Sequence, residues 1–320
     1  MSVPVVSGLR ALAEATGLVA REPRSLLRVT GTDRTSFLQG MLSANVLRLG
    51  GGQHAPALFL TAQGRIVAPC EVLIEADSVL LDVAAEQAAA LGKGLEAFVV
   101  ADDVEIEETG ERAALVGGPL ARETLARVLG AVVEALPAGS HVVTAGPGGR
   151  LRVVRGISAS VGDWRLWGPG ESIDAVCAAL HQVGASDVGP EASEIARILR
   201  GLPRAGVDWD ESTLAPEVPA FAAAIAGDKG CYLGQEVVER VAARGRVNWL
   251  VLPFALEQPA ATGTALLVKG EAVGELTSVA LSPVDGAVAA LARVRRSAVD
   301  EGAEFEVAGG GRARPLALHS

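Results

Sequence analysis

Apolar residues in this chain come in short runs broken by glycine, proline and turn-forming residues, and no run approaches the ~20 residues that a membrane-spanning helix needs. That punctuation restricts the chain to short strands and modest helices packed as layers. Residues 58–61 and 65–67 flank Ala62-Gln63-Gly64, and residues 72–74 and 79–81 flank Glu75-Ala76-Asp77-Ser78, so both pairs read as hairpins. Residues 26–29 form a strand leading to Asp33, which can cap a helix opening at Arg34. An Ala/Leu-rich helix over about 84–98 and an acidic strand at Val104-Glu105-Ile106 follow. Further on come a helix from near Pro119, a Pro/Gly loop over 137–149, strands at 151–154 and 164–167, and a helix over 171–183. Beyond Asn248 the runs are short and β-type, which predicts a small antiparallel barrel. The class is α+β.

A length of 320 residues exceeds what one core usually organises, so two or three domains are expected. Net charge of −10 argues against a surface built to neutralise phosphates, and hence against direct nucleic-acid binding. The opening residues lack the basic and apolar regions of a secretory signal, and no lipid-anchor pattern is present. The expectation is a cytoplasmic protein that does not bind membranes. Three widely spaced cysteines, Cys70, Cys177 and Cys231, suit neither a disulfide framework nor a zinc site. Cys70 and Cys177 sit in apolar contexts and read as packing residues. His54, in a loop beside Pro56, His141 in the Pro/Gly region, His181 and His319 have no ligand spacing, so no metal site is expected. Phosphate-cradling glycine loops are also missing.

The most informative stretch is Asp228-Lys229-Gly230-Cys231-Tyr232-Leu233-Gly234-Gln235-Glu236, continuing to Arg240. Val237, Val238 and Val241 give a helical stripe from Leu233 onward, and Glu236 precedes Arg240 by four residues, an ion-pair spacing worth about 0.2–0.5 kcal/mol. Cys231 then stands just before a helix start, where unpaired N–H groups favour a thiolate and Lys229 adds to the effect. Gly230 and Gly234 allow close backbone approach to a ligand, or serve a bare loop-to-helix turn. On residues alone, Cys231 reads equally as a functional thiol or a packed one.

Lys229-Gly230-Cys231-Tyr232-x-Gly234-Gln235-Glu236-x-x-x-Arg240 closely resembles the signature of the YgfZ-like folate-binding proteins. The segments Arg197-Ile198-Leu199-Arg200-Gly201-Leu202-Pro203, Leu214-Ala215-Pro216-Glu217, Gly31-x-Asp33-x-x-x-Phe37-Leu38-Gln39-Gly40 and Gln63-Gly64-Arg65-Ile66 resemble that family in the same order. The resemblance implies an aminomethyltransferase-like arrangement of three domains around a central channel that takes tetrahydrofolate or a one-carbon derivative. On that arrangement residues 1–50 and 150–245 form a discontinuous folate-binding domain, 51–149 a middle domain and 246–320 the barrel. It also implies a monomer serving iron–sulfur proteins, among them tRNA-modifying enzymes, with Cys231 as the functional thiol and Lys229 beside it.

The chain departs from the transferases of the same superfamily. Where they carry an acidic pair after the first hairpin glycine, it has Ala68 and Pro69, neither of which can move a proton; general acid–base catalysis typically contributes about 10²–10⁴-fold. Leu199 stands in place of a glutamate that would accept from a pterin edge. Glu217 or Glu236 are candidates to replace it, Tyr232 to stack on the ring, and Gly230 and Gln235 to line the ligand. Arg240, Arg244 and Arg246 read either as receivers of the glutamyl tail or as a solvated helix face. The readings in competition are a folate-binding accessory protein, a tetrahydrofolate-dependent aminomethyl- or methyltransferase, and a folate-independent thiol enzyme, the last lacking an evident histidine base.

Overall fold

In the computed structural model, which describes residues 2–156, 160–244 and 247–317 apart from the side chains of 242–244, the two-residue period of each strand sorts apolar side chains into separate cores. Helix α1 (Val3–Glu14) and β1 (Gly17–Glu22) precede β2 (Arg24–Thr30), α2 (Arg34–Met41), β3 (His54–Leu60), β4 (Ile66–Ile74), β5 (Val79–Ala84), α3 (Ala85–Glu96) and β6 (Glu105–Glu108). Strands β2–β6 form an antiparallel sheet of order β3-β4-β5-β2-β6. Next come β7 (Arg112–Gly117), α4 (Ala121–Leu129), α5 (Ala131–Ala135), β8 (Ser140–Gly146), β9 (Gly149–Arg155), β10 (Trp164–Gly168), α6 (Gly170–Gln182), β11 (Ser186–Asp187) and α7 (Pro190–Leu199). Their strands join β1 in a six-stranded sheet of order β11-β1-β7-β10-β9-β8. Two 3-10 turns, Ala215–Glu217 and Pro219–Ala224, lead to α8 (Gln235–Arg244). The end of the chain is β12 (Trp249–Leu256), β13 (Ala265–Val268), β14 (Glu271–Leu281), β15 (Val288–Arg295), α9 (Arg296–Asp300), β16 (Phe305–Val307) and β17 (Arg312–Pro315). It closes as the expected antiparallel barrel, β12-β15-β14-β13-β16-β17.

Several local expectations are corrected. The expected domain boundaries at 50/51 and 149/150 cut through sheets, because β2 pairs with β5 and β8 pairs with β9. The Pro/Gly loop over 137–149 is largely β8, and His54 is a buried residue of β3 rather than of a loop. Asp33 precedes α2 without capping it by its side chain. Its Oδ2 instead accepts the Asp103 N–H at 2.8 Å, tying the start of α2 to the approach of β6.

Alternation explains how the two sheets meet. On β5, Val79, Leu81 and Val83 enter the core under α2 and α3, while Leu80 and Asp82 face the other way. On β10, Trp164 and Leu166 pack toward α4 and α6, leaving Arg165 and Trp167 on the face that meets Asp82. Arg165 Nη1 donates to Asp82 Oδ2 at 2.5 Å, and its Nε and Nη2 donate to the Glu22 carboxylate at 2.7 and 2.8 Å. Arg24 Nε donates to Asp82 Oδ1 at 2.7 Å. Burial opposes the charge on Asp82, but Arg165 and Arg24 outweigh it and hold the carboxyl below its usual range. Burial likewise opposes the Arg165 charge, and Asp82 and Glu22 raise its pKa in spite of it. Losing one partner of such a buried pair typically costs about 3–5 kcal/mol, since the other charge is left unpaired.

Two histidines stitch the same sheets reciprocally. His54 of β3 bonds through Nε2 to the Arg155 carbonyl (2.8 Å), with its Nδ1 on Glu71 (3.1 Å), and His141 of β8 bonds through Nε2 to the Ile74 carbonyl (3.0 Å). Burial and then Arg152 push the His141 pKa down to about 4 from an ordinary 6.5. A folded pKa below the unfolded one gives stability that is complete above pH 6.5 and lost as pH falls toward 4, worth on the order of 3 kcal/mol. Urea unfolding at stepped pH should therefore show the wild type losing more stability across that window than His141→Gln, which keeps an amide donor but does not titrate; equal slopes would contradict the assignment.

Candidate functional site

The Lys229-to-Arg240 segment folds as a strap over the end of α2. Lys229 Nζ donates to the carbonyls of Gln39 (2.7 Å), Ala44 (2.8 Å) and Leu42, and lies 4.9 Å from the Tyr232 ring centroid. Its three protons thus satisfy the Gln39 carbonyl in the last turn of α2 and the Leu42 and Ala44 carbonyls of the segment that leaves the helix. Burial draws its pKa down to about 8, while the carbonyls and the ring face favour the charged form. Ser43 completes the strap: its Oγ donates to the Ala224 carbonyl (2.5 Å) and accepts the Leu58 N–H (2.7 Å). The Leu233 N–H reaches the Gly40 carbonyl at 3.0 Å. Lys229 is accordingly a clamp on backbone, not a charge aimed at the thiol.

Of the two motif glycines, only Gly234 is sterically required. Its φ is +83°, and a Cβ there would sit 2.5 Å from the Thr61 carbonyl oxygen, whereas Gly230 has open space around it. That turn delays the helix, so α8 starts at Gln235 and Cys231 lies outside its first turn. Cys231 is exposed, and its Sγ makes no hydrogen bond among the described residues. Cys70 and Cys177 are buried; burial raises both thiol pKa values, that of Cys177 to about 11.

The remaining expected ligand residues do not converge on a cavity. Tyr232 is buried in an apolar cluster with Trp209, Phe221 and Val238, and burial, followed by Glu239, raises its pKa to about 12. Gln235 Oε1 accepts the Tyr232 N–H (3.3 Å) and its Nε2 donates to Glu239 (2.5 Å). Glu236 and Arg240 are exposed and, among the described ion pairs, not paired with each other. Glu217 is buried and accepts the Leu214 N–H at 3.1 Å, closing its own turn; burial raises its carboxyl pKa. Arg246 lies outside the described residues, as does the side chain of Arg244.

The large cavity lies elsewhere. A cleft of about 1080 Å³ opens where β1, the start of α3, α7 and the loop after α7 meet, and none of the motif residues lines it. Trp209 and Phe221 line it as an edge-to-face pair with centroids 5.9 Å apart, and the same pair packs in one cluster with Tyr232. Pro69 is on its wall, while Ala68 points into the opposite core. Leu199 packs against the central core instead of the cleft. Sequence reasoning quoted Arg197 only within a family-resembling segment and passed over the rest of the ionic lining, which includes Glu22 and Arg24, fixed by the inter-sheet network, Glu86, Asp187, Glu194 and Arg204. Trp209, in a Pro/Gly-flanked loop of a chain with 3% aromatic residues, was the available signal.

Arg197 organises the α7 wall. It donates to both oxygens of Glu194 (2.8 and 2.9 Å), to Asp208 Oδ2 and to Ser278 Oγ of β14. Asp208 also accepts from Thr277 Oγ1 (2.6 Å), Ser278 Oγ (2.7 Å) and the Arg204 N–H (2.9 Å), fastening the loop to the barrel. Hydrogen bonding from Arg197 is the main cause that holds the Glu194 carboxyl below its usual range. The Trp209 Nε1–H is buried and has no hydrogen-bond partner among the described residues. No group of three or more His, Cys, Asp or Glu among those residues could hold a metal ion, and no helix is long and apolar enough to cross a membrane.

Residues 250–320 match the glycine cleavage T-protein C-terminal barrel domain. The chain is 28% identical over 260 residues (79% of its length, 59% of the relative's) to a putative chloroplastic transferase of Arabidopsis thaliana. It is 27% identical (75% and 54%) to a mitochondrial iron–sulfur cluster assembly factor IBA57 homolog of Neurospora crassa, so it spans little more than half the length of these two relatives. An aminomethyltransferase of Thermotoga petrophila is 26% identical, over 88% of this chain and 78% of the relative. Among solved structures, aminomethyltransferase T of the Bartonella henselae glycine cleavage system superposes with a TM-score of 0.85 at 19% identity, covering 99% of this chain and 88% of that one. Brief alkylation of the native protein with iodoacetamide, read by peptide mass spectrometry, should label Cys231 and spare Cys70 and Cys177 until denaturant is added; labelling of all three at similar rates would contradict the exposure described here.

Proposed function

The chain belongs to the glycine cleavage T-protein-related, aminomethyltransferase-like proteins, and from that premise we propose that it is a folate-binding accessory protein in iron–sulfur protein assembly, without aminomethyl transfer. The observation that carries this reading is Pro69 on the cleft wall, where the related transferase pattern needs a carboxylate. A prolyl side chain neither holds nor moves a proton, so the cleft retains binding chemistry while this wall lacks an acid–base group.

The cleft suits tetrahydrofolate or a one-carbon derivative of it. Its volume, about 1080 Å³, is slightly above the roughly 300–1,000 Å³ usual for small-molecule sites. Apolar and aromatic lining accommodates a flat ring, and arginines on the lining complement an anionic tail. When bound, the folate would supply a one-carbon-carrying nitrogen; the residues of this chain would hold, orient and partly desolvate it. The exposed Cys231 is the thiol available to a partner surface, and its neighbour Tyr232 shares an apolar cluster with Trp209 and Phe221 of the cleft lining. One exposed thiol does not ligate a cluster alone, so an iron–sulfur protein is the client, not this chain. Similarity to the assembly-factor homolog supports that choice of client. A monomer acting in the cytoplasm belongs to the same reading.

Calorimetric titration with tetrahydrofolate and 5-formyltetrahydrofolate, under reducing conditions, should give saturable binding in the wild type and in Cys231→Ala alike. Release of a one-carbon product above background on adding an aminomethyl donor would support the transferase reading instead, and absence of binding in a folded protein would remove folate from the account.

A further inference from the structure

The first sheet ends at β6, and among the described residues no strand pairs with its outer edge. The Thr109 N–H donates to the Leu26 carbonyl at 2.9 Å, so the antiparallel register makes Glu107–Arg28 and Glu105–Thr30 the other hydrogen-bonded pairs. The backbone N–H and C=O groups of Ile106 and Glu108, which alternate with these, therefore point outward. The strand is held ready for a neighbour. Asp103, just before it, gives its N–H to Asp33 and takes the Thr32 N–H and hydroxyl on one carboxylate oxygen, each at 2.8 Å. An edge fixed in advance gives up little freedom when a further strand is added.

A groove of about 490 Å³ lies between this edge and the end of α3. Its lining combines two chemistries. Val99 and Ile106 are partly buried apolar residues on the rim of the core under α2 and α3, and Phe98 and Val100, on either side of Val99 in sequence, are exposed. Glu96, Glu105 and Glu107 line the same groove. Glu107 pairs with Arg28, whereas Glu96, Glu105 and Glu108 are exposed and make no ion pair or side-chain hydrogen bond among the described residues. Charged side chains on a short edge strand commonly guard it against aggregation, and the glutamates alone would do that. Guarding does not account for a groove with an apolar wall beside a row of outward backbone groups.

We propose that β6 is a docking edge for an extended, basic segment of a partner protein, which joins the sheet as an added strand. Alternation puts Glu105 and Glu107 on one face and Ile106 on the other. The matching segment carries lysine or arginine at alternate positions, set over the glutamates, with an apolar side chain between them that meets Ile106 and Val99. Backbone bonds to Ile106 and Glu108 supply affinity, and the charges and the apolar side chain supply selectivity. A second copy of this chain does not fit, because two β6 edges side by side would set glutamates against glutamates, and a net charge of −10 opposes self-association. The proposal does not depend on what the cleft binds.

The probe is a short fluorescein-labelled peptide of alternating lysine and valine, with an aspartate–valine peptide as its control, titrated by fluorescence anisotropy against the whole protein. The wild type should bind the basic peptide saturably and not the acidic one. Glu108→Pro and Glu108→Gln lose the same charge, but only the first loses the outward N–H, and neither disturbs the bonds to β2; thermal unfolding checks that both are folded. Glu108→Pro should bind about fivefold or more weakly than Glu108→Gln, the effect of one hydrogen bond. Glu105→Lys should weaken binding about fivefold, by setting a like charge opposite a lysine. Hydrogen–deuterium exchange of the wild type with the basic peptide should slow at Ile106 and Glu108. Equal binding by Glu108→Pro and Glu108→Gln, or exchange at β6 that the peptide leaves unchanged, would reduce the contact to general charge attraction and overturn the proposal. Failure of the wild type to bind the basic peptide, or binding of both peptides alike, would also overturn it.

Discussion

Arg165 is fully buried between two sheets and pairs with Asp82 from one and Glu22 from the other, and much of the molecule follows from that contact. A buried ion pair contributes little net stability over apolar packing, because desolvating two charges offsets their attraction. What it supplies is registry. Asp82 also receives Arg24 and the Trp167 indole N–H, so the β2–β5 pair and the β10 face meet in one arrangement only. Glu22 and Arg24, the side chains that this network immobilises, are also lining residues of the cleft. The cleft is thus bounded on one side by groups whose positions are set by the sheet interface itself.

A second network does the same on the α7 side. Arg197 and Asp208 bind α7 and its following loop to β14, fixing Glu194 and carrying Trp209 next to Asp208 in sequence. The cleft wall and the barrel are then parts of one hydrogen-bonded structure. The glycine-rich strap is a third, separate fastening. Lys229 and Gly234 anchor it to α2 and to the first hairpin, and the consequence is an exposed Cys231 whose surroundings do not enforce a reaction of their own. Such a thiol suits encounter with another protein better than turnover of a small substrate in a closed site.

Local pattern made much of the fold legible. The two hairpins, the helix now seen at Ala85–Glu96 and the antiparallel barrel all carry strong two- or 3.6-residue periods and clear turns. What depended on long-range pairing was hidden: β1 joins strands from the far side of the first sheet, and β8 lies in a segment whose glycines and prolines look like loop. The same limit governed the site. Lys229 finds its acceptors about 190 residues earlier in the chain, which no spacing rule reveals, so its charge was read as serving the neighbouring cysteine. The motif was easy to see because its residue types are unusual. The cleft was not, because Glu194, Arg197 and Asp208 look like ordinary surface charges until they are placed together.

The central claim is that the ligand site is the cleft between the sheets and α7, and not the cysteine strap. Hydrogen–deuterium exchange of the whole protein, with and without saturating 5-formyltetrahydrofolate, tests it most directly. The account expects ligand-dependent protection at β1 and in the α7 segment through Trp209, with the strap at residues 228–234 unchanged. Protection confined to the strap and α8, with the cleft walls exchanging as before, would contradict it.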